Sequence, residues 1–246
     1  MMISHPLRTA YHAMVAAALL VPSYAAGRAA EMTHVIELFT SQGCSSCPPA
    51  DRLLAVLARN PETVALSFPV DYWDYIGWKD IFASPLFTAR QQAYARSTKD
   101  GRVYTPQAVI DGVKADIGSD KAAIQRDMGT LPGVGGAMSV PMTIKESDGY
   151  LRVDVGAGQT TGAGVYVLRV MASRTVEIGR GENSGRSVTY TNVVRAMNKI
   201  GDWDGHPAHF DMLELKADGE GYVVLLQAGD PAKPAVILSA AKTAGL

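Results

Sequence analysis

Cysteine is scarce in this chain: its 246 residues carry only two, Cys44 and Cys47, with Ser45 and Ser46 between them. A disulfide framework needs several spaced pairs, so a cystine-stapled scaffold is excluded. A bridge over two residues would constrain almost no unfolded-chain entropy, which leaves chemistry as the better reason for the pair. The usual structural zinc site takes four ligands, and no second Cys pair exists to complete one. An excess of charge is missing too: 23 basic residues face 24 acidic ones, which argues against a nucleic-acid partner. Repeats of 20 to 50 residues and low-complexity tracts are absent. No segment after the first thirty residues is apolar for long enough to span a bilayer.

The first residues have the pattern of a secretory signal. His5 and Arg8 precede the apolar stretch Ala13 to Pro22, and small residues follow. Ser23 and Ala25 fit cleavage after Ala25, with Ala29 and Ala30 as alternatives. The apolar run is well short of the about 20 residues of a spanning helix. Residues 1–25 are therefore read as a signal peptide, which makes the mature protein periplasmic or secreted, with no membrane span. Their removal takes Arg8 and no acid, so 23 basic groups become 22 and the formal charge moves from −1 to −2. A hydrophobic fraction of 47% is ordinary for a globular protein.

Along the mature chain, His34 to Thr40 is a β-branched and aromatic run that ends in the turn formers Ser41-Gln42-Gly43. After Cys47 come Pro48 and Pro49, tolerated in a helix's first turn. Leu53, Leu54, Val56 and Leu57 then mark a helical face that stops near Asn60-Pro61. Thr63 to Val70 reads as a second buried strand, completing a parallel, right-handed βαβ unit. The aromatic-rich segment Asp71 to Asp80 and a helix from Pro85 to about Thr98 are read as an insertion over the sheet, at about residues 71–100. Val103 to Gly112 gives an X-Pro turn, a short strand and an Asp-Gly turn, and Asp116 to Met128 a last helix. At Leu131 to Gly136 the composition shifts to Gly and Pro, as at a domain linker. Beyond it the period becomes two, and seven or eight strands predict an antiparallel β-sandwich. The expected architecture is thus an α/β domain over residues 31–132 followed by an all-β sandwich domain over residues 137–246.

The dithiol sits at the strand-to-helix junction, and its chemistry follows from that place. Thiol–disulfide exchange runs through the thiolate. Unpaired amides of the helix's first turn and the positive end of its dipole favour an anion at Cys44, the more exposed of the two by this reading. Cys44 is therefore assigned as nucleophile and Cys47, one turn inside, as resolving thiol. Glu37, on the strand entering the site, is the candidate acceptor of the resolving thiol's proton, with Asp71 and Asp74 as rivals. A one-residue change of register would turn Glu37 from core to surface.

Three stretches resemble an exported bacterial family catalogued as a domain of unknown function: Glu37 to Asp51, Val70 to Asp80, and Tyr104-Thr105-Pro106-Gln107. Gly181 to Arg186 and Asn192-Val193-Val194-Arg195 are similar to its second-domain motif. The resemblance implies a thioredoxin-like first domain. It also implies a cis-proline at Pro106, with Thr105-Pro106 offering a backbone edge that holds a substrate strand against Cys44. Cis is the minority state of X-Pro bonds, so the residues alone do not propose it.

Elsewhere, Tyr72, Trp73, Tyr75 and Trp78 are expected to pack the insertion onto its own domain, the alternative being an apolar wall for a bound peptide or small thiol. Arg180, Glu182, Asn183, Arg186, Asn192 and Arg195 are expected to pin a hairpin through an Arg–carboxylate network, with a partner or anion site as the other reading. His206 and His209 have metal-like spacing, but Pro207 breaks the helix that would align them. The leading expectation is an exported thiol-disulfide oxidoreductase with no cofactor and no metal. It would act on a protein or small-thiol disulfide substrate and exchange electrons with an envelope redox partner. The alternative is a non-enzymatic module that binds a soft metal such as copper(I), or a partner, through the same thiolates.

Overall fold

The computed structural model describes residues 1–2, 32–97, 101–159 and 162–246. The expected signal peptide, apart from Met1 and Met2, lies outside the described residues. The chain opens with β1 (His34–Thr40), α1 (Pro48–Leu57) and β2 (Thr63–Pro69), and a 3-10 turn at Asp74–Ile76 leads to α2 (Pro85–Ser97). Then come β3 (Gln107–Ile110), β4 (Lys114–Ile117) and α3 (Lys121–Thr130). After a second 3-10 turn the rest is strand: β5 (Met142–Ser147), β6 (Tyr150–Val155), β7 (Ala163–Glu177), β8 (Ser187–Trp203), β9 (Ala208–Leu213), β10 (Glu220–Asp230) and β11 (Lys233–Lys242).

These strands overturn the expected pair of a thioredoxin-like α/β domain and a separate all-β sandwich domain. The protein is mostly β, with three α-helices among the described residues, and one mixed sheet of eight strands runs in the order β11-β10-β7-β8-β2-β1-β3-β4. No thioredoxin-like α/β N-terminal domain is indicated. The sheet joins the two halves of the chain because β7 and β8 are long, with 15 and 17 residues, or roughly 50 Å at about 3.3 Å per residue. Val193 of β8 lies beside Ser67 of β2 in parallel pairing. The Ser67 hydroxyl donates to Thr191 O at 2.9 Å, and the Asn192 amide to Ala65 O at 2.9 Å.

Within this sheet β1 and β2 are parallel and joined through α1, whereas β3 and β4 run antiparallel to β1 and to each other, respectively. The β3–β4 hairpin turns at Asp111-Gly112, both with positive φ, as the Asp-Gly signal requires. The helix expected from Asp116 begins only at Lys121, as α3, and Asp116 and Ile117 belong to β4; exposed Lys114 and Ile117 mark an edge strand with little apolar pattern. β5, β6 and β9 form a second, antiparallel sheet.

Side-chain alternation places three layers of core. Ile36, Leu38, Ala65 and Ala108 face Ala50 and Leu54 of α1 and Ile124 of α3. On the opposite face, Phe39, Leu66 and Phe68 join Leu168, Val170 and Leu225 beneath Phe87 and Tyr94 of α2. Leu151 and Val153 of the second sheet cover Val165, Val167, Val224 and Leu226. β7 and β10 are therefore apolar on both faces. Arg90 of α2 ties the halves together: it donates through Nε to Glu37 Oε1 at 2.8 Å, and through Nη2 to Tyr94 Oη and Gln227 Oε1, both at 2.9 Å.

Candidate functional site

Cys44 and Cys47 are joined in a disulfide. Cys47 is the N-cap of α1, already in helical backbone conformation, and Pro48 and Pro49 fill the first helical positions. The expectation of an exposed Cys44 is corrected: neither cysteine has any exposed surface, and solvent meets Ser45 and Ser46 instead. The expected amides are missing as well. Pro48 and Pro49 have no N–H, and the amides of Ala50 and Asp51 both donate to Cys47 O, at 2.8 and 3.1 Å.

Thr105-Pro106 is a cis peptide, and it lies beside the disulfide loop. Ser46 Oγ is 3.5 Å from Thr105 O and 3.4 Å from Cys44 Sγ. Pro106 lies across Gly118 from Leu38 and Ala50, so tightly that a Cβ on Gly118 would come within 2.5 Å of Leu38 and 3.1 Å of Pro106. Trp73 donates to Thr105 Oγ1 at 2.8 Å and Trp78 to Gln42 Oε1 at 2.8 Å. The expectation that the aromatic segment packs only onto its own half is corrected: Trp78 packs against Val176, Ile178 and Val188 of the second half, and the segment bonds both walls of the site. Tyr75, by contrast, is 81% exposed.

Glu37, the candidate proton acceptor, is not brought to the disulfide. It shares a face of β1 with Phe39 and points to α2, where it is buried and ion-paired with Arg90 and accepts from Tyr94 Oη. The opposite face of β1 meets α1, so the register that settles its burial also removes it from the dithiol. Asp71 is taken by the Thr88 hydroxyl at 2.5 Å, and Asp74 accepts the Asp80 amide at 3.0 Å.

Sequence reasoning missed Asp51. It follows Cys47 by four residues, which places it on the same helix face one turn on. It is fully buried, accepts the Thr40 hydroxyl at 2.8 Å through Oδ1, and has no partner at Oδ2. Burial pushes its carboxyl up to about 7, the Thr40 bond opposing and the Asp80 charge adding to the rise. Asp80 is raised to about 6, again chiefly by burial, while its oxygens accept the amides of Gln42 at 2.9 Å and Phe82 at 2.8 Å. Tyr190 of β8 feels both acids. The signal available in sequence was a carboxylate four residues after the second cysteine, on the helix's apolar face.

The 179–186 hairpin reaches this site from the second half. In place of the expected Arg–carboxylate network, the Asn183 amide donates to Gln42 O at 2.9 Å and to Cys44 O at 2.8 Å. Arg195 lies over the Phe82 ring at 5.1 Å. His206 and His209 are exposed, and no group of three or more His, Cys, Asp or Glu side chains converges as a metal site among the described residues.

The model of DUF1223, a family of proteins of unknown function, matches residues 35–227. The chain belongs to the DUF1223 family. The match includes the disulfide, Thr105-Pro106, Asp51, Asp80 and Asn183, and ends within β10. Protein AGR_C_4864 from Agrobacterium tumefaciens is similar in structure, with a TM-score of 0.79 and 34% identity over 87% of this chain and 95% of its own. HBP35 of Porphyromonas gingivalis shares the fold at a TM-score of 0.58 and 10% identity, covering 87% of this chain and 75% of its own. No curated protein matches the chain in sequence.

Proposed function

We propose that this DUF1223 protein is an exported thiol-disulfide oxidoreductase that works through Cys44 and Cys47. The observation that carries the reading is the buried carboxyl of Asp51, one helical turn from Cys47, with an unpartnered oxygen and a proton affinity raised to about 7. A disulfide kept only for stability has no use for such a group, whereas a departing thiolate needs a proton.

In the oxidising direction, a substrate thiolate attacks Cys44 Sγ. A substrate–Cys44 bond forms, the Cys44–Cys47 bond breaks, and Cys47 leaves as a thiolate that takes the Asp51 proton. A second substrate thiol, deprotonated, attacks the substrate sulfur and releases Cys44 as a thiolate. The substrate ends as a disulfide and the protein as a dithiol. A disulfide-bearing partner in the cell envelope restores the bond by the reverse exchange. Export is supported by the signal pattern of residues 1–25 and by the suitability of an oxidising compartment for the bond.

The test is oxidation of a reduced, unfolded test protein and reduction of insulin, with wild type against Cys44→Ser. Wild type is expected to catalyse at least one of the two and the variant neither. Equal rates for both proteins in both assays would end the proposal.

A further inference from the structure

Resting on that reading, we infer that Ser46 is a catalytic residue: its hydroxyl is the donor that stabilises the Cys44 thiolate. Cys44 must carry negative charge once the disulfide opens, and the groups that ordinarily hold a thiolate at a helix start are spent or missing. Pro48 and Pro49 carry no N–H, and the amides of Ala50 and Asp51 are committed to Cys47 O. The Cys47 amide donates to Cys44 O at 3.2 Å. Asn183 reaches the loop but donates to Gln42 O and Cys44 O rather than to sulfur. Asp51 from α1 and Asp80 from the segment before α2 are acids at the site, with Tyr190 from β8 behind them, and Arg52 of α1 is a cation whose charge acts on Asp51. The acids repel a thiolate when ionised.

Ser46 Oγ is the side-chain oxygen at the sulfur, 3.4 Å from Cys44 Sγ. Its other acceptor, Thr105 O, is 3.5 Å away, at the limit of a hydrogen bond. The hydroxyl is held weakly between two acceptors while the sulfur is neutral. When Cys44 becomes a thiolate, a charge-assisted O–H···S bond outcompetes the carbonyl. Ser46 is also exposed where Cys44 is not, so the same hydroxyl stands between the sulfur and water.

The experiment follows the pH dependence of Cys44 alkylation by iodoacetamide in the reduced full-length protein, comparing wild type, Ser46→Ala and Ser46→Thr. Cys47→Ser is introduced into all three so that one thiol is read. Ser46→Ala is expected to raise the Cys44 pKa by about one unit, a tenfold loss of thiolate on the acid side. Ser46→Thr keeps the hydroxyl and is expected to restore at least half of the shift. Superimposable profiles for wild type and Ser46→Ala would overturn the inference, as would a threonine variant that behaves like alanine. Thermal melts of the three proteins exclude a folding defect, which an exposed serine should not cause. The readout does not depend on turnover: identical profiles, with normal exchange activity in the Cys47-containing proteins, would remove Ser46 alone, and a shifted profile with no activity in the Cys47-containing wild type would remove the oxidoreductase reading alone.

Discussion

Replacing Asp51 by asparagine should change how stability depends on pH more than it changes stability at any one pH. The Asp51 carboxyl holds its proton up to about pH 7 in the fold, against 3.8 for the ordinary group. Between these values the folded protein binds a proton that the unfolded chain has lost, so stability falls as pH rises. The contribution is fully present below about pH 4 and gone by about pH 7. About three units at roughly 1.4 kcal/mol each gives a loss of roughly 4 kcal/mol across the window. Asparagine has the same shape, keeps an oxygen for the Thr40 hydroxyl and does not titrate. Its amide, set where Oδ2 has no partner, costs about 1–3 kcal/mol at every pH and leaves the slope untouched. Asp80 titrates in both proteins and largely cancels in the difference, apart from its coupling to Asp51. Urea unfolding of the oxidised proteins at pH 4, 6 and 8 is the assay. The wild type is expected to lose roughly 4 kcal/mol relative to Asp51→Asn between pH 4 and 8. Parallel stability curves would show that Asp51 has an ordinary carboxyl, and the proton-donor step would lose its basis.

Glu37→Gln leaves the buried Arg90 charge without its carboxylate, and removing one member of a buried pair costs about 3–5 kcal/mol. It should lower the urea midpoint strongly while the Cys44 alkylation profile stays unchanged, because Glu37 faces away from the disulfide. Asn183→Ala leaves Gln42 O without the side-chain donor that reaches it across the chain and should cost about 2 kcal/mol. Its more specific effect is on access: reduction of the disulfide by dithiothreitol should speed up several-fold, measured by the rate of thiol release at a pH where both proteins are folded.

The sequence carried the local framework of the site better than its surroundings. The run His34 to Thr40, the Pro48-Pro49 start and the Asn60-Pro61 stop placed the cysteines at a strand-to-helix junction, because those signals are local. The Asp111-Gly112 turn was legible for the same reason, since its positive φ values demand such residues. The continuous sheet was hidden because joining β8 to β2 rests on one residue pair and on the side chains of Ser67 and Asn192, 125 residues apart in the chain. No periodicity reports a contact of that range. Within β7, Ser173 to Thr175 are exposed and lack the buried alternation of the rest, so the strand reads as two in sequence. The placement of Glu37 away from the disulfide has a similar cause: Glu37 and Asp51 are both buried acids near Cys44 in sequence, and only the face of β1 that meets α1 separates them. Asn183 was singled out as part of a polar hairpin, but its partners are backbone carbonyls, which a sequence motif does not reveal.

The most direct measurement uses Cys47→Ser, which leaves Cys44 as the lone thiol, and follows its reaction with glutathione disulfide at pH 7 by mass spectrometry. Cys44 is expected to form a mixed disulfide with glutathione at least tenfold faster than free cysteine does, releasing one glutathione per protein, while Cys44→Ser forms none through Cys44. A Cys44 that reacts no faster than free cysteine would contradict the assignment of this disulfide to exchange chemistry.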